Sequence, residues 1–269
     1  MTLASHTIGS GPRLVLLHGF TQNSACWGPF AQRLATRHQV VLVDAPGHGD
    51  SRHDEADLDD AARLSVEAGG AGIYVGYSMG GRVALHAALA APDQVRALVL
   101  IGANAGIDDD TERAQRRRAD EALADQLAPR PNHPNSGGCG SGGEPNPAGL
   151  EGFLDHWLAQ PLFATVPPDA RHRAARLRNR PEGLAASLRH CGTGTQRPLW
   201  AELARLMQPT LAIAGGEDEK FTTLARRLAA AIGPNASATT IAGAGHSVHL
   251  ERPDDTADAV LAFSAGLES

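Results

Sequence analysis

The sequence predicts a doubly wound, mainly parallel α/β sheet carrying an inserted all-helical segment. Three observations predict it. Short, wholly apolar runs alternate with helical spacing near both ends of the chain. One run, Ile73-Tyr74-Val75, leads into Gly76-Tyr77-Ser78-Met79-Gly80 and then into an alanine- and leucine-rich helical pattern. Between residues 104 and 198 only helical patterns remain, a stretch longer than any ordinary connection.

In chain order, Leu14-Val15-Leu16-Leu17 reads as a buried parallel strand. It ends in His18-Gly19-Phe20-Thr21. Residues 24–36 have helical spacing, with Trp27, Phe30 and Leu34 on one face and Ser24 placed to cap. Val40-Val41-Leu42-Val43 is the next strand, followed by the turn-rich Pro46-Gly47-His48-Gly49-Asp50-Ser51. Residues 54–68 read as a weak, acidic helix with a solvated face. The Ser78 unit is strand, sharp turn and helix. Glycines at 76 and 80 suit it, because a side chain there would strike the neighbouring strand or helix. The turn lifts the Ser78 hydroxyl above the sheet and puts it at a helix N-terminus, where free N–H groups favour negative charge. Val95 to Ile101 is a further strand.

The insertion follows. Asp108 to Ala128 is helical and charged, with Arg113, Arg116, Arg117 and Arg118 clustered, and 129–148 reads as a flexible Pro/Gly-rich loop. Helical spacing resumes at Phe153, Leu154 and Trp157, runs from Arg171 to Leu177, and returns at Leu184 to Leu188. A lid over the strand C-termini is the expected role, dividing the chain into core 1–103, lid 104–198 and core 199–269. Thr210 to Ala214 resumes the sheet and leads to Glu217-Asp218-Glu219-Lys220-Phe221. A helix reaches about Ile232. Ala238 to Ile241 is the last strand, before Gly243-Ala244-Gly245-His246, and Pro253 starts the closing helix.

Ser78, Asp218 and His246 each follow a strand, in the Ser…Asp…His order of the α/β-hydrolase fold. Asp218 would fix the tautomer of His246, and His246 would withdraw the Ser78 proton. The backbone N–H groups of Phe20 and Met79 are the expected oxyanion donors. Glu217 is the rival acid. His18, in a tight glycine loop, and His249 are read as structural.

The 269 residues suffice for one large domain, and the net charge of −6 gives no basic footprint for nucleic acid. Cys26, Cys139 and Cys191 show neither metal nor CxxC spacing. No signal-peptide pattern opens the chain and no run has membrane-span length, so a cytoplasmic protein without membrane contact is expected. No metal or nucleotide fingerprint is present, and no cofactor is expected. A monomer or weak homo-oligomer is the expected state. Lys220 is the single lysine.

At this level of detail the chain resembles the 2-succinyl-6-hydroxy-2,4-cyclohexadiene-1-carboxylate synthase (MenH) family of the α/β-hydrolase superfamily. The motifs that carry the resemblance are Leu17-His18-Gly19-Phe20-Thr21, Pro46-Gly47-His48-Gly49, Gly76-Tyr77-Ser78-Met79-Gly80-Gly81-Arg82, His156 to Phe163, Gly192-Thr193-Gly194, Asp218-Glu219-Lys220-Phe221 and Gly245-His246. The resemblance implies a lyase of menaquinone biosynthesis. It would take a proton from 2-succinyl-5-enolpyruvyl-6-hydroxy-3-cyclohexene-1-carboxylate and eliminate pyruvate, with Ser78, His246 and Asp218 acting as a base. A substrate with several carboxylates needs fixed cations, and arginine suits them. The family pattern puts Arg82, Arg116 and Arg176 in that role, with Arg178 the rival to Arg176, and makes Tyr77 and Trp157 pocket walls or hydrogen-bond donors. A serine esterase or carbon–carbon-bond hydrolase on the same scaffold is the alternative, and a non-catalytic binding protein a third reading. Two features depart from the family: segment 129–148 is long, and the N-terminus leaves little room for the first two strands, so the sheet is expected to begin late.

Overall fold

The computed structural model describes residues 2–128 and 149–267. The 129–148 loop expectation and Cys139 lie outside the described residues.

The apolar runs become strands because both of their faces are covered. In β2 (Arg13–Leu17), Val15 and Leu17 enter the core on one side of the sheet while Leu14 and Leu16 enter the core on the other. β5 (Val95–Ile101) divides likewise, Leu98 and Leu100 against Ala97, Val99 and Ile101. Such strands read as continuous hydrophobic runs because neither face meets water. With β1 (Ser5–Ile8), β3 (Gln39–Val43), β4 (Gly72–Tyr77), β6 (Thr210–Gly215) and β7 (Ala236–Ile241) they form one sheet, ordered β1-β3-β2-β4-β5-β6-β7. β1 pairs antiparallel with β3, and the other pairings are parallel.

The sheet begins earlier than expected. β1 is an edge strand of four residues, exposed except for the partly covered Ile8, so no apolar run announces it. Two further expectations are corrected. Residues 24–36 are a 3₁₀ turn (Ser24–Trp27) and a separate helix α1 (Gly28–Leu34), broken at Gly28 with φ +46°. Asn23, not Ser24, supplies the cap, accepting the Ala25 N–H, while the Ser24 N–H donates to Asp44 Oδ1 at 2.6 Å. The acidic segment 54–68 is helix α2 (Leu58–Gly69), and it is not simply a solvated face. Leu58, Ala61, Ala62, Leu64 and Ser65 are buried, packing α2 against α3 (Met79–Ala90).

Helices α2, α3 and α8 (Glu219–Ile232) cover one face of the sheet, and α1, α9 (Val248–Glu251) and α10 (Pro253–Ala265) the other. Between β5 and β6 stand α4 (Asp110–Leu127), α5 (Gly149–Leu158), α6 (Arg173–Arg176) and α7 (Pro181–Cys191). α4 meets α7 through Ala124, Ala185 and Leu188. Leu158, Phe163 and Val166 pack on Leu250 of α9, which ties this helical layer to the sheet domain. Because β4, β5, β6 and β7 are parallel, the loops after them emerge on one edge, where open α/β sheets place ligands. No helix among the described residues is long and apolar enough to cross a membrane.

Candidate active site

Ser78 sits at the sharp turn between β4 and α3, with φ +50° and ψ −106°, a conformation that L side chains rarely hold. Packing enforces it. A Cβ at Gly76 would lie 2.4 Å from the Gly80 carbonyl oxygen, and one at Gly80 would lie 1.8 Å from the Leu17 carbonyl oxygen. Helix and strand therefore touch backbone to backbone, and the serine is thrust out between them. Met79 is the first residue of α3, so its N–H has no acceptor within the helix.

Asp218 and His246 arrive from the ends of β6 and β7. His246 Nε2 lies 3.4 Å from Ser78 Oγ, and His246 Nδ1 lies 3.2 Å from Asp218 Oδ2. Asp218 Oδ1 accepts the Phe221 N–H at 3.1 Å, which caps α8 with the same carboxylate. Burial pushes the Asp218 carboxyl up. The His246 hydrogen bond, the Phe221 N–H and the charges of His246 and Lys220 outweigh it, so the group lies below its ordinary value. The imidazole stands between the rings of Tyr77, at 5.4 Å, and Phe221, at 4.3 Å. Gly102 leaves room for it, since a Cβ there would come 3.1 Å from the ring. Glu217, the rival acid, is exposed and sends its N–H to the Ala244 carbonyl.

The loop after β2 is pinned on every side. The Gly19 N–H donates to Gln22 Oε1, and the Gln22 N–H donates back to the Gly19 carbonyl, both at 3.1 Å. A Cβ on Gly19 would strike the Tyr77 ring at 2.7 Å. His18 is fully buried. Its Nε2 accepts the Ala45 N–H at 3.0 Å, which leaves Nδ1 to donate to the Gly19 carbonyl at 2.9 Å. Burial lowers its pKa, and the ring serves as a neutral bracket for two loops. Phe20, the expected second oxyanion donor, belongs to this bracketed loop and faces the same cavity as Ser78. His249 is buried among Trp27, Phe30 and Tyr77, away from Ser78, with a pKa lowered by burial and by the Arg176 charge.

That cavity has a volume of about 510 Å³ and is lined by both layers. Ser78, Met79, Asp218 and His246 line it from the sheet side; Arg116, Trp157 and Arg176 line it from the helical side. Arg82, one turn beyond Ser78 on α3, is buried and its Nη1 has no hydrogen-bond partner among the described residues. Burial brings its pKa down to about 10, with the neighbouring Cys191, Arg116 and Asp120 acting beside it. Arg116 is half-exposed. Its Nε donates to Asp120 Oδ1 at 2.7 Å, and Asp120 Oδ2 accepts the Gly194 N–H at 3.1 Å. One buried carboxylate thus orients Arg116 and holds the Gly192–Gly194 turn against α4.

Arg176 is almost wholly buried, and its bonds go to neutral acceptors, the Arg171 carbonyl at 2.8 Å and Thr21 Oγ1. No carboxylate pairs with it among the described residues, and burial lowers its pKa. Arg178 instead reaches the exposed Asp50 at 3.4 Å and does not line the cavity. Tyr77 is buried with its hydroxyl 2.7 Å from Ser247 Oγ, so it bonds a loop of the protein. Trp157 stands edge-on to Phe20 with its ring nitrogen buried and unpartnered among the described residues. Among the described residues no group of three His, Cys, Asp or Glu side chains is placed to hold a metal ion.

No site role is expected from the sequence for Asp120, Gln22 or Gly102. Asp120 stands four residues after Arg116, a spacing that places the two on one helix face and marks the pair. Gln22 and Gly102 act on the backbone and on a distant ring, and no local pattern signals them.

The model of the alpha/beta hydrolase family matches residues 14–259. The chain belongs to the alpha/beta hydrolase family. A 2-succinyl-6-hydroxy-2,4-cyclohexadiene-1-carboxylate synthase of Yersinia pestis is 32% identical over 263 residues, covering 94% of this chain and 88% of that protein. A pimeloyl-[acyl-carrier protein] methyl ester esterase of Xanthomonas campestris is 34% identical over 267 residues, covering 97% of this chain and 98% of that protein. Among solved structures, MenH from S. aureus superposes with a TM-score of 0.85 at 29% identity over the full length of both chains. The resemblance to the synthase family read from the sequence is therefore matched in sequence and in fold.

Proposed function

We propose that this enzyme is a pyruvate-eliminating synthase of the 2-succinyl-6-hydroxy-2,4-cyclohexadiene-1-carboxylate type, acting in menaquinone biosynthesis. One observation carries the reading: the cavity that holds Ser78 and His246 is also lined by Arg82, Arg116 and Arg176, and two of these are buried without a paired carboxylate among the described residues. A buried cation left uncompensated by the protein is costly and calls for an anionic ligand. A substrate with several carboxylates supplies that charge, and guanidinium forks bind carboxylates in a fixed plane. The synthase-named relatives support the same substrate class.

In this mechanism Asp218 holds His246 with Nε2 free to take a proton. His246 draws the proton from Ser78 Oγ, and the Ser78 oxygen removes a ring proton of the bound cyclohexene. The electron pair of the broken C–H bond forms one ring double bond, and the pair of the existing ring double bond shifts one position to the carbon that bears the enolpyruvyl oxygen. The C–O bond to the enolpyruvyl group breaks, and the departing enolate is protonated to pyruvate. The Met79 and Phe20 N–H groups face the oxygen on which charge gathers. The three arginines hold the carboxylates, and Trp157 and Phe20 close the pocket over the ring. Helices α4 to α7 serve as the lid that carries Arg116 and Arg176.

The esterase-named relatives favour a second reading, carboxylester hydrolysis through an acyl-enzyme on Ser78. The purified protein given the succinyl-cyclohexene precursor, made in situ by the preceding pathway enzyme, separates the two. Release of pyruvate faster than the spontaneous elimination supports the synthase. No acceleration, together with turnover of a simple aryl ester, overturns it in favour of the esterase.

A further inference from the structure

The ring of His246 is held by long bonds, 3.2 Å to Asp218 and 3.4 Å to Ser78, yet its loop is held by short ones. Glu251 Oε2 accepts the Gly245 N–H at 2.6 Å, and Glu251 Oε1 accepts the Ser247 N–H at 2.9 Å. These are the residues on either side of His246. The anchoring is reciprocal: the Ser247 carbonyl accepts the N–H groups of Leu250, at 2.8 Å, and Glu251, at 3.0 Å. Space reinforces it, since a Cβ on Gly245 would fall 2.3 Å from Thr165 Oγ1 and 3.3 Å from Glu251 Oε2. Ser247 Oγ then bonds the hydroxyl of Tyr77, the residue before Ser78, at 2.7 Å.

We propose that Glu251 is a positioning residue, whose carboxylate grips the backbone on both sides of His246 and so sets the imidazole between Asp218 and Ser78. The proposal rests on Ser78, His246 and Asp218 acting as one relay. Hydrogen bonds from N–H groups to a carboxylate are about twice as strong as neutral ones. Two such bonds on one short loop therefore fix it better than the ring contacts do. The Ser247–Tyr77 bond carries the same restraint to the nucleophile turn, so the base and the serine move as one body. A displacement of about 1 Å in such a constellation can cost on the order of 10²-fold in rate.

The test uses a fluorophosphonate, which needs only Ser78 and its base and no natural substrate. Wild type, Glu251→Gln, Glu251→Asp and Ser78→Ala are compared by intact-mass labelling, with inactivation rate and half-saturation separated and thermal midpoints measured in parallel. Glu251→Gln keeps the shape but turns an acceptor into a donor facing an N–H. Its maximal labelling rate is expected to fall about 10- to 100-fold with half-saturation within about twofold. Glu251→Asp, which keeps both acceptors on a shorter arm, is expected to recover most of the rate, to within about threefold to tenfold of wild type. A rate within twofold of wild type in Glu251→Gln, or a loss confined to half-saturation, overturns the proposal. So does an aspartate variant no faster than glutamine at the same thermal midpoint. Should Glu251→Gln fail to fold, Glu251→Asp decides: a slower rate at unchanged half-saturation supports the proposal and an unchanged rate overturns it. Labelling of wild-type Ser78 without pyruvate release would refute the synthase and leave Glu251 in place, whereas an unlabelled wild type would refute the relay itself.

Discussion

The two walls of the cavity are built differently. The sheet-side wall is a set of short loops locked by backbone contacts: Gly80 against Leu17, Gly19 against Tyr77, and the Gly19–Gln22 pair. Behind it the rings of His18, His48 and His249 are buried, with pKa values lowered by burial. The helical wall brings charge instead. Arg116 is braced by Asp120, and Arg176 is sunk among neutral acceptors. On the proposed reading, one wall fixes the atoms that react and the other supplies a field for a ligand with charge of its own. Chemistry and substrate choice should therefore be separable by mutation.

The largest effect is expected on the sheet side. Ser78→Ala should lower kcat of the proposed reaction by roughly 10³-fold or more, with substrate affinity retained, as checked by steady-state kinetics and ligand titration. An equal loss of affinity would mean that the serine belongs to binding as well.

Arg82→Met tests the one cavity arginine that α3 supplies from the sheet side. It should lower kcat/KM by about 10²-fold, the value expected when one partner of a buried charge pair is removed. The same change should raise the thermal midpoint, because the unliganded protein carries the cost of a cation whose pKa burial has brought down to about 10. Thermal melts of both proteins without ligand check this, and a lowered midpoint would show that Arg82 is structural.

A smaller effect separates the walls by pH. Burial lowers His48 to about 3, so between pH 6.5 and 3 the unfolded chain binds a proton that the folded ring refuses. Stability contributed by its neutral state is full above the free imidazole value and is lost as pH falls below it. One such histidine makes about 1.4 kcal/mol of difference per pH unit across that window. Urea midpoints at pH 7.5 and 5.0 should show His48→Gln losing about 2 kcal/mol less than wild type on acidification. Equal losses would place the acid sensitivity elsewhere.

The smallest effect is expected at Arg178→Ala. Its partner is the exposed Asp50 and exposed pairs are worth little, so kcat/KM should stay within about twofold of wild type. A large loss would exchange the roles given to Arg176 and Arg178.

The same contrast governs what could be read from the sequence. Buried parallel strands announce themselves, and so does the serine turn, because both are written in consecutive residues. The edge strand Ser5–Ile8 does not, since it is held by pairing with β3 and buries almost nothing. In α2 the acidic first turn masks the buried Leu58, Ala61 and Leu64. On the helical wall, residues 171–180 hold five arginines, and the break at His172, with φ +51°, removes the periodicity that would tell the buried one from the exposed ones. There the family resemblance supplied Arg176 where spacing could not. Asn23 was hidden by Ser24, its neighbour and an equally good cap residue, and Glu251 stayed silent because its partners are backbone N–H groups of a loop, which no sequence pattern records.

The central claim is that the arginine-lined cavity serves a base on a polycarboxylate substrate. Its most direct test is pyruvate release from the coupled succinyl-cyclohexene precursor, followed together with diene absorbance in wild type and Ser78→Ala. Prompt release above the spontaneous rate, lost in the serine variant, is the expected result. Release no faster than the spontaneous elimination, with aryl-ester turnover dependent on Ser78, would contradict it.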